Sequence, residues 1–174
     1  MSRFEQTVLV HLDAAYNLAR WLTRNEAGAE DAVQDACLRA YRFFEKQHGP
    51  NVKAWFLAIV RNTCIDWLEA NRAGIGDETY DEETHGSRSA ALGDFESPEA
   101  AYARTDEARW VRNGIATRPR EYREVIVLRE LEDLSYREIS AIVDVPVGTV
   151  MSRLARGREL LQQRLMESRR RMQS

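Results

Sequence analysis

Apolar residues return every third or fourth position along most of this chain and nowhere in strict alternation. That period belongs to helices with one buried face, so an all-helical fold is predicted and no strand. Residues 4–23 place Phe4, Val8, Leu12, Ala15, Ala19 and Leu22 on one side of a first helix. Asn25-Glu26-Ala27-Gly28 punctuates the chain, with Asn25 as a candidate N-cap. A second helix is predicted over about 29–45. Ala32, Val33, Ala36, Cys37, Ala40, Phe43 and Phe44 face inward, and Asp31, Gln34, Asp35, Arg39 and Arg42 face outward. Residues 46–51 read as a loop by their Gly-Pro signal. A third helix over about 52–71 carries Trp55, Phe56, Ile59, Val60, Cys64, Trp67 and Leu68. These helices make a first domain, residues 1–73.

The period disappears over residues 74–98, where glycine and acidic residues offer no face to bury, and a flexible or extended tether is expected. It returns in a second domain, residues 99–174. Ala108, Val111 and Ile115 mark one helix; after Pro119, Val125, Ile126 and Leu128 mark another. Residues 135–158 are the most informative stretch. Ser135 and Glu138 form a capping box, and Ile139, Ile142 and Val143 line a short helix. Pro146 ends it and disfavours helix at Val145. A further helix then buries Val150 and Leu154 and turns Met151, Ser152, Ala155, Arg156 and Arg158 outward. Two short helices, a tight turn and an outward face of small and basic residues describe a helix-turn-helix fitted to a major groove.

The net charge of −3 argues against a nucleic-acid partner only until it is divided along the chain. Residues 1–75 are neutral, residues 76–108 carry −8, and residues 109–174 carry +5. Local charge steers a surface toward phosphates over a Debye length, so the basic third governs. No run reaches the roughly 18 apolar residues of a membrane span, and no secretory leader is visible. Cys37 and Cys64 lie on apolar faces far apart in sequence, which fits free thiols in a reducing cytoplasm. There is no glycine-rich phosphate loop, no nucleophile elbow and no metal-ligand spacing among His11, His48, His85 and the cysteines. An enzyme reading has no positive support, and no cofactor or metal is expected.

Residues 128–158, the run Ala29-Glu-Asp-Ala-Val-Gln-Asp-Ala-Cys-Leu-Arg-Ala-Tyr-Arg42, and Trp55-Phe-Leu-Ala-Ile-Val-Arg-Asn62 together resemble the extracytoplasmic-function (ECF) bacterial sigma factors. The resemblance covers both domains in order and leaves out the tether and tail. It implies a subunit that binds core RNA polymerase, recognises a promoter and helps open it, under the control of an anti-sigma factor. It also implies that Asp31, Gln34, Asp35, Leu38 and Arg39 dock on a coiled coil of the polymerase's largest subunit. A mixed acid-amide-basic rim around an apolar residue suits such a helix-on-helix contact. Lys46, His48, Asn51, Arg61 and Asn62 fall where the family reads the melted minus-10 strand. Trp55 and Trp67 are both candidates for stacking there, although an aromatic at helical spacing is more often core, the reading favoured for Trp55.

In the second domain Met151, Ser152, Ala155 and Arg156 match the positions that read the minus-35 duplex. Arg129, Tyr136, Arg137, Thr149, Arg153 and Arg158 are candidates for phosphate contact or positioning. Met151 and Ala155 can touch thymine methyls but make no bidentate hydrogen bond, so few base hydrogen bonds are expected. Ser140 and Asp144 depart from the Ala and Gly that helix-turn-helix motifs favour, without threatening the turn. A stand-alone helix-turn-helix regulator would leave the first domain's match unexplained. A sigma-like mimic would be expected to have lost Arg156 and Arg158.

Overall fold

The computed structural model describes residues 1–72 and 106–174, and every regular element among them is helical. The expected tether at 74–98 lies outside the described residues. The first domain opens with α1 (Arg3–Thr7), capped by Ser2 in a reciprocal box with Glu5. The sequence predicts one helix through residue 23, but the chain breaks at Val8. It passes through a 3-10 turn (Leu9–His11) and restarts as α2 (Leu12–Thr23). β-Branched Thr7, Val8 and Val10 crowd this stretch, and the Thr7 hydroxyl donates back to the Arg3 carbonyl at 2.7 Å. Both effects weaken a continuous ladder.

Arg24 ends α2 in the left-handed region at φ 53°, and Asn25 caps α3 (Glu26–Phe43) by accepting from the Gly28 amide at 2.7 Å. A Cβ on Gly28 would lie 2.4 Å from the Trp67 ring, so α3 and α4 (Val52–Ala70) approach more closely here than any larger residue permits. Asn51 caps α4 by accepting from the Ala54 amide at 3.0 Å. Phe56, Leu57, Val60 and Cys64 share the core with Leu18, Leu22, Ala29 and Ala36. Phe43, expected inside, is 53% exposed. The buried Phe4 ring lies edge-on to Tyr41 and Phe44 at 5.3 and 5.4 Å.

The second domain contains α5 (Asp106–Ala116) and α6 (Arg120–Ile126), a single π-helical turn (Val127–Leu131), α7 (Tyr136–Val143) and α8 (Val147–Gln173). Gly157 lets α8 lie directly on α6: a Cβ there would meet Ile126 Cδ1 at 2.8 Å. The buried face of α6 is not wholly apolar, because Arg123 and Glu124 are buried beside Val125 and Ile126. Periodicity gave no sign of this.

The reason is that the two domains pack on each other and share one contiguous apolar core. Helices α2 and α4 lie against α6 and α7. Arg123 donates to the Leu22 carbonyl at 3.4 Å and to the Arg118 carbonyl at 2.9 Å, while Arg24 reaches the Arg118 carbonyl at 3.2 Å. Polar groups of one domain thus satisfy polar groups of the other where water is excluded.

Candidate nucleic-acid interface

The geometry of the helix-turn-helix follows from five residues. Ser135 and Glu138 form both halves of the expected capping box, at 3.1 and 3.2 Å. Asp144 takes the left-handed conformation at φ 56°, as its short polar side chain allows. Ser140 donates its hydroxyl to the Val145 carbonyl at 2.5 Å, so the departure from alanine stitches the turn. Pro146 then opens α8, its carbonyl accepting from Thr149 and Val150.

On α8, Val150 and Leu154 are buried, whereas Met151, Ser152, Ala155 and Arg156 are exposed along one face, as the sequence predicts. Ser152 donates back to the Gly148 carbonyl at 2.9 Å and keeps oxygen lone pairs for an outside donor. Among the described residues Arg156 makes an exposed pair with Glu159 at 3.0 Å. Arg137 is exposed, and Thr149 and Arg153 are half-buried at the margin of this face.

Beside it, Arg129 donates to the Leu134 carbonyl at 2.8 Å and lies 4.7 Å from the centre of the Tyr136 ring. Arg158 is held by Glu130, which together with Tyr136 pushes its guanidinium pKa up. Arg129 and Arg158 therefore meet at Tyr136, and Arg158 is held in addition by Glu130, an acid that sequence reasoning did not single out.

The first-domain candidates divide differently. Lys46, His48 and Asn62 are exposed. Asn51 is committed twice: its oxygen caps α4, and its Nδ2 donates to Glu138 of α7. Arg61 grips Glu124 of α6 with two prongs, Nε to Oε2 at 3.1 Å and Nη2 to Oε1 at 3.3 Å. Lys53, missed from the sequence, sits 3.4 Å from Glu132, to which Asn17 also donates. Burial and the nearby Lys53 charge lower the His11 pKa, Glu132 opposing. Burial raises the Glu138 pKa, but hydrogen bonds from Ser135 and Asn51 outweigh it and the net shift is downward. Trp55 packs against the core, in keeping with its reading, and the Trp67 ring lies over Gly28 rather than open to a base.

On α3, Asp31, Gln34, Asp35 and Leu38 form a continuous exposed face, with Leu38 63% exposed. Arg39 is tied to Asp35 at 3.1 Å and to Asp66 of α4 at 2.9 Å. Tyr41, 67% exposed one turn on, extends the apolar part of this face. Both thiols are free, and burial pushes Cys64 up to about 12, far from reactive thiolate. No group of three His, Cys, Asp or Glu among the described residues is placed to hold a metal ion, and none of their helices is long and apolar enough to cross a membrane.

The comparisons with known proteins agree with this geometry. The family model for Sigma-70 region 2 matches residues 7–74, and that for Sigma-70 region 4 matches residues 110–161. The ECF RNA polymerase sigma-E factor of Haemophilus influenzae is 34% identical over 157 residues, covering 85% of this chain and 79% of that protein. The chain belongs to the ECF sigma factors. SigW of Bacillus subtilis, another member, is 31% identical over 94% of this sigma factor and 89% of its own length. The sigma factor RpoE of Bartonella quintana, solved in complex with the anti-sigma factor NepR, superposes with a TM-score of 0.75. It is 25% identical, covering 95% of this chain and 98% of its own. As an alternative sigma factor the protein binds core RNA polymerase and directs promoter recognition and transcription initiation. Its family consists of transcription regulators rather than enzymes.

Proposed function

We propose that this sigma factor assigns its three tasks to three separate faces. The exposed α3 face of Asp31, Gln34, Asp35, Leu38 and Arg39 docks on core polymerase. Asn62, with Lys46, His48, Asn51 and Arg61, reads the melted minus-10 strand. The α8 face of Met151, Ser152, Ala155 and Arg156 enters the major groove at minus-35, with Arg129, Tyr136, Arg137, Thr149, Arg153 and Arg158 contacting or positioning the phosphates. The carrying observation is the division of α8, where Val150 and Leu154 are buried and the four groove residues are exposed. A helix held from behind in this way presents a rigid edge to base pairs.

An anti-sigma factor restrains the protein, as NepR binds the structurally similar RpoE. The chain acts in the cytoplasm without inserting into a membrane. The test is run-off transcription: purified chain plus core polymerase on fragmented genomic DNA yields discrete promoter-dependent transcripts. Their absence on every fragment would overturn the reading.

A further inference from the structure

Three donors on or at the start of α4 each meet a carboxylate from the other domain. Asn51 donates to Glu138, Lys53 pairs with Glu132 at 3.4 Å, and Arg61 grips Glu124 at 3.1 and 3.3 Å. The acids come from three different pieces of the second domain: α6, the segment after the π turn, and α7. Glu124 is buried, and the Glu132 side chain is only 11% exposed. Carboxylates and phosphates are recognised by the same charge-assisted donors, arginine above all.

We propose that the strip Asn51–Lys53–Arg61 is a site for the sugar-phosphate backbone of the melted strand, with Lys53 as its further contact. In the closed protein Glu138, Glu132 and Glu124 occupy that site in place of phosphates. This rests on the assignment of the minus-10 strand to this face. Strand binding and domain closure then exclude each other, because Arg61 cannot hold a phosphate while both its prongs lie on Glu124.

The two promoter faces are affected unequally. Met151, Ser152, Ala155 and Arg156 stay exposed in the closed form, while Asn51 and Arg61 are engaged. The closed protein is thus competent to approach duplex through α8 but not to take a single strand along α4. Its apparent affinity for single strand is reduced by the fraction of molecules that are open.

The test uses the full chain carrying Glu124→Gln, Glu132→Gln and Glu138→Gln together. Gln retains the hydrogen-bonding shape and suits the capping box at position 138. X-ray scattering reads domain separation, and anisotropy of a fluorescent twelve-residue oligo-dT reads strand binding. The triple variant is expected to expand and to bind oligo-dT about tenfold more tightly, the gain when an open fraction of one in ten becomes dominant. Adding Lys53→Ala should remove part of that gain and lower the salt slope by about one. Should the triple variant fold poorly, Glu132→Gln alone carries the test with a smaller gain.

A variant as compact as the parent overturns the fastening. Expansion with unchanged oligo-dT affinity overturns the phosphate site when Asn62→Ala still impairs promoter melting by holoenzyme. If Asn62→Ala is indifferent as well, the minus-10 assignment beneath it is overturned.

Discussion

Arg61 and Glu124 lie 63 positions apart in sequence and form a two-pronged ion pair across the domain boundary, with side chains 15% and 1% exposed. Removing one member of such a pair leaves an uncompensated buried charge, which costs about 3–5 kcal/mol where the pair stays dry. Arg61→Ala and Glu124→Ala are therefore each expected to destabilise strongly in urea titrations. Arg61→Leu combined with Glu124→Leu should recover most of the loss, because the space stays filled and no charge is stranded. Additive losses in the double-mutant cycle would show that the two side chains are not coupled.

Gly157 and Gly148 share α8 but differ in surroundings. A Cβ on Gly157 would press on Ile126 at 2.8 Å, whereas one on Gly148 would meet nothing within 4 Å. Gly157→Ala should lower stability by about 1–3 kcal/mol, less whatever helix propensity returns. Gly148→Ala should be neutral or stabilising by up to about 1 kcal/mol. Thermal unfolding of the two variants side by side checks the close approach of α6 and α8.

The turn between α7 and α8 makes two opposite predictions. Ser140→Ala loses the hydroxyl bond to the Val145 carbonyl and should cost about 0.5–1.5 kcal/mol. Asp144→Gly relieves a left-handed residue at φ 56° and should gain up to about 1 kcal/mol. Melting temperatures that move the same way for both would contradict this account of the turn.

Arg156→Ala should weaken binding to minus-35 duplex by about 1–3 kcal/mol and relax sequence preference at the base pair it contacts. Asp35→Ala should leave that binding unchanged and weaken association with core polymerase. Loss of duplex affinity in Asp35→Ala would mean that the α3 and α8 faces are not separate.

Acid should loosen the protein in two stages. The His11 pKa is lowered from its ordinary 6.5 by burial and by Lys53, so its neutral form favours the fold. That contribution is complete above 6.5 and is lost as pH falls through the lowered folded value. Glu138 is also lowered on balance, from 4.5, so its share is present above 4.5 and lost as pH falls through its own lowered value. Stability measured by urea against pH should fall first below 6.5, and His11→Asn should flatten that first limb while leaving the second.

Within each domain, sequence alone determined the helices, the helix-turn-helix and the outward faces. Those features depend on neighbours three or four residues away: the Ser135 box, the Val150 and Leu154 anchors, the Asn25 cap. The break at Val8 is local, set by β-branched neighbours and the Thr7 back-bond, which hydrophobic period alone does not register. The burial of Arg123 and Glu124 was not legible, because it answers to residues distant in the chain. A buried arginine and glutamate are tolerable only where Leu22 and Arg61 wait on the other domain. Lys53 looked like an ordinary surface lysine until Glu132 was brought beside it. Tertiary structure alone decided that the α4 donors are occupied while the α8 face is open, since the free energy of a charge depends on which opposite charge and how little water stand next to it.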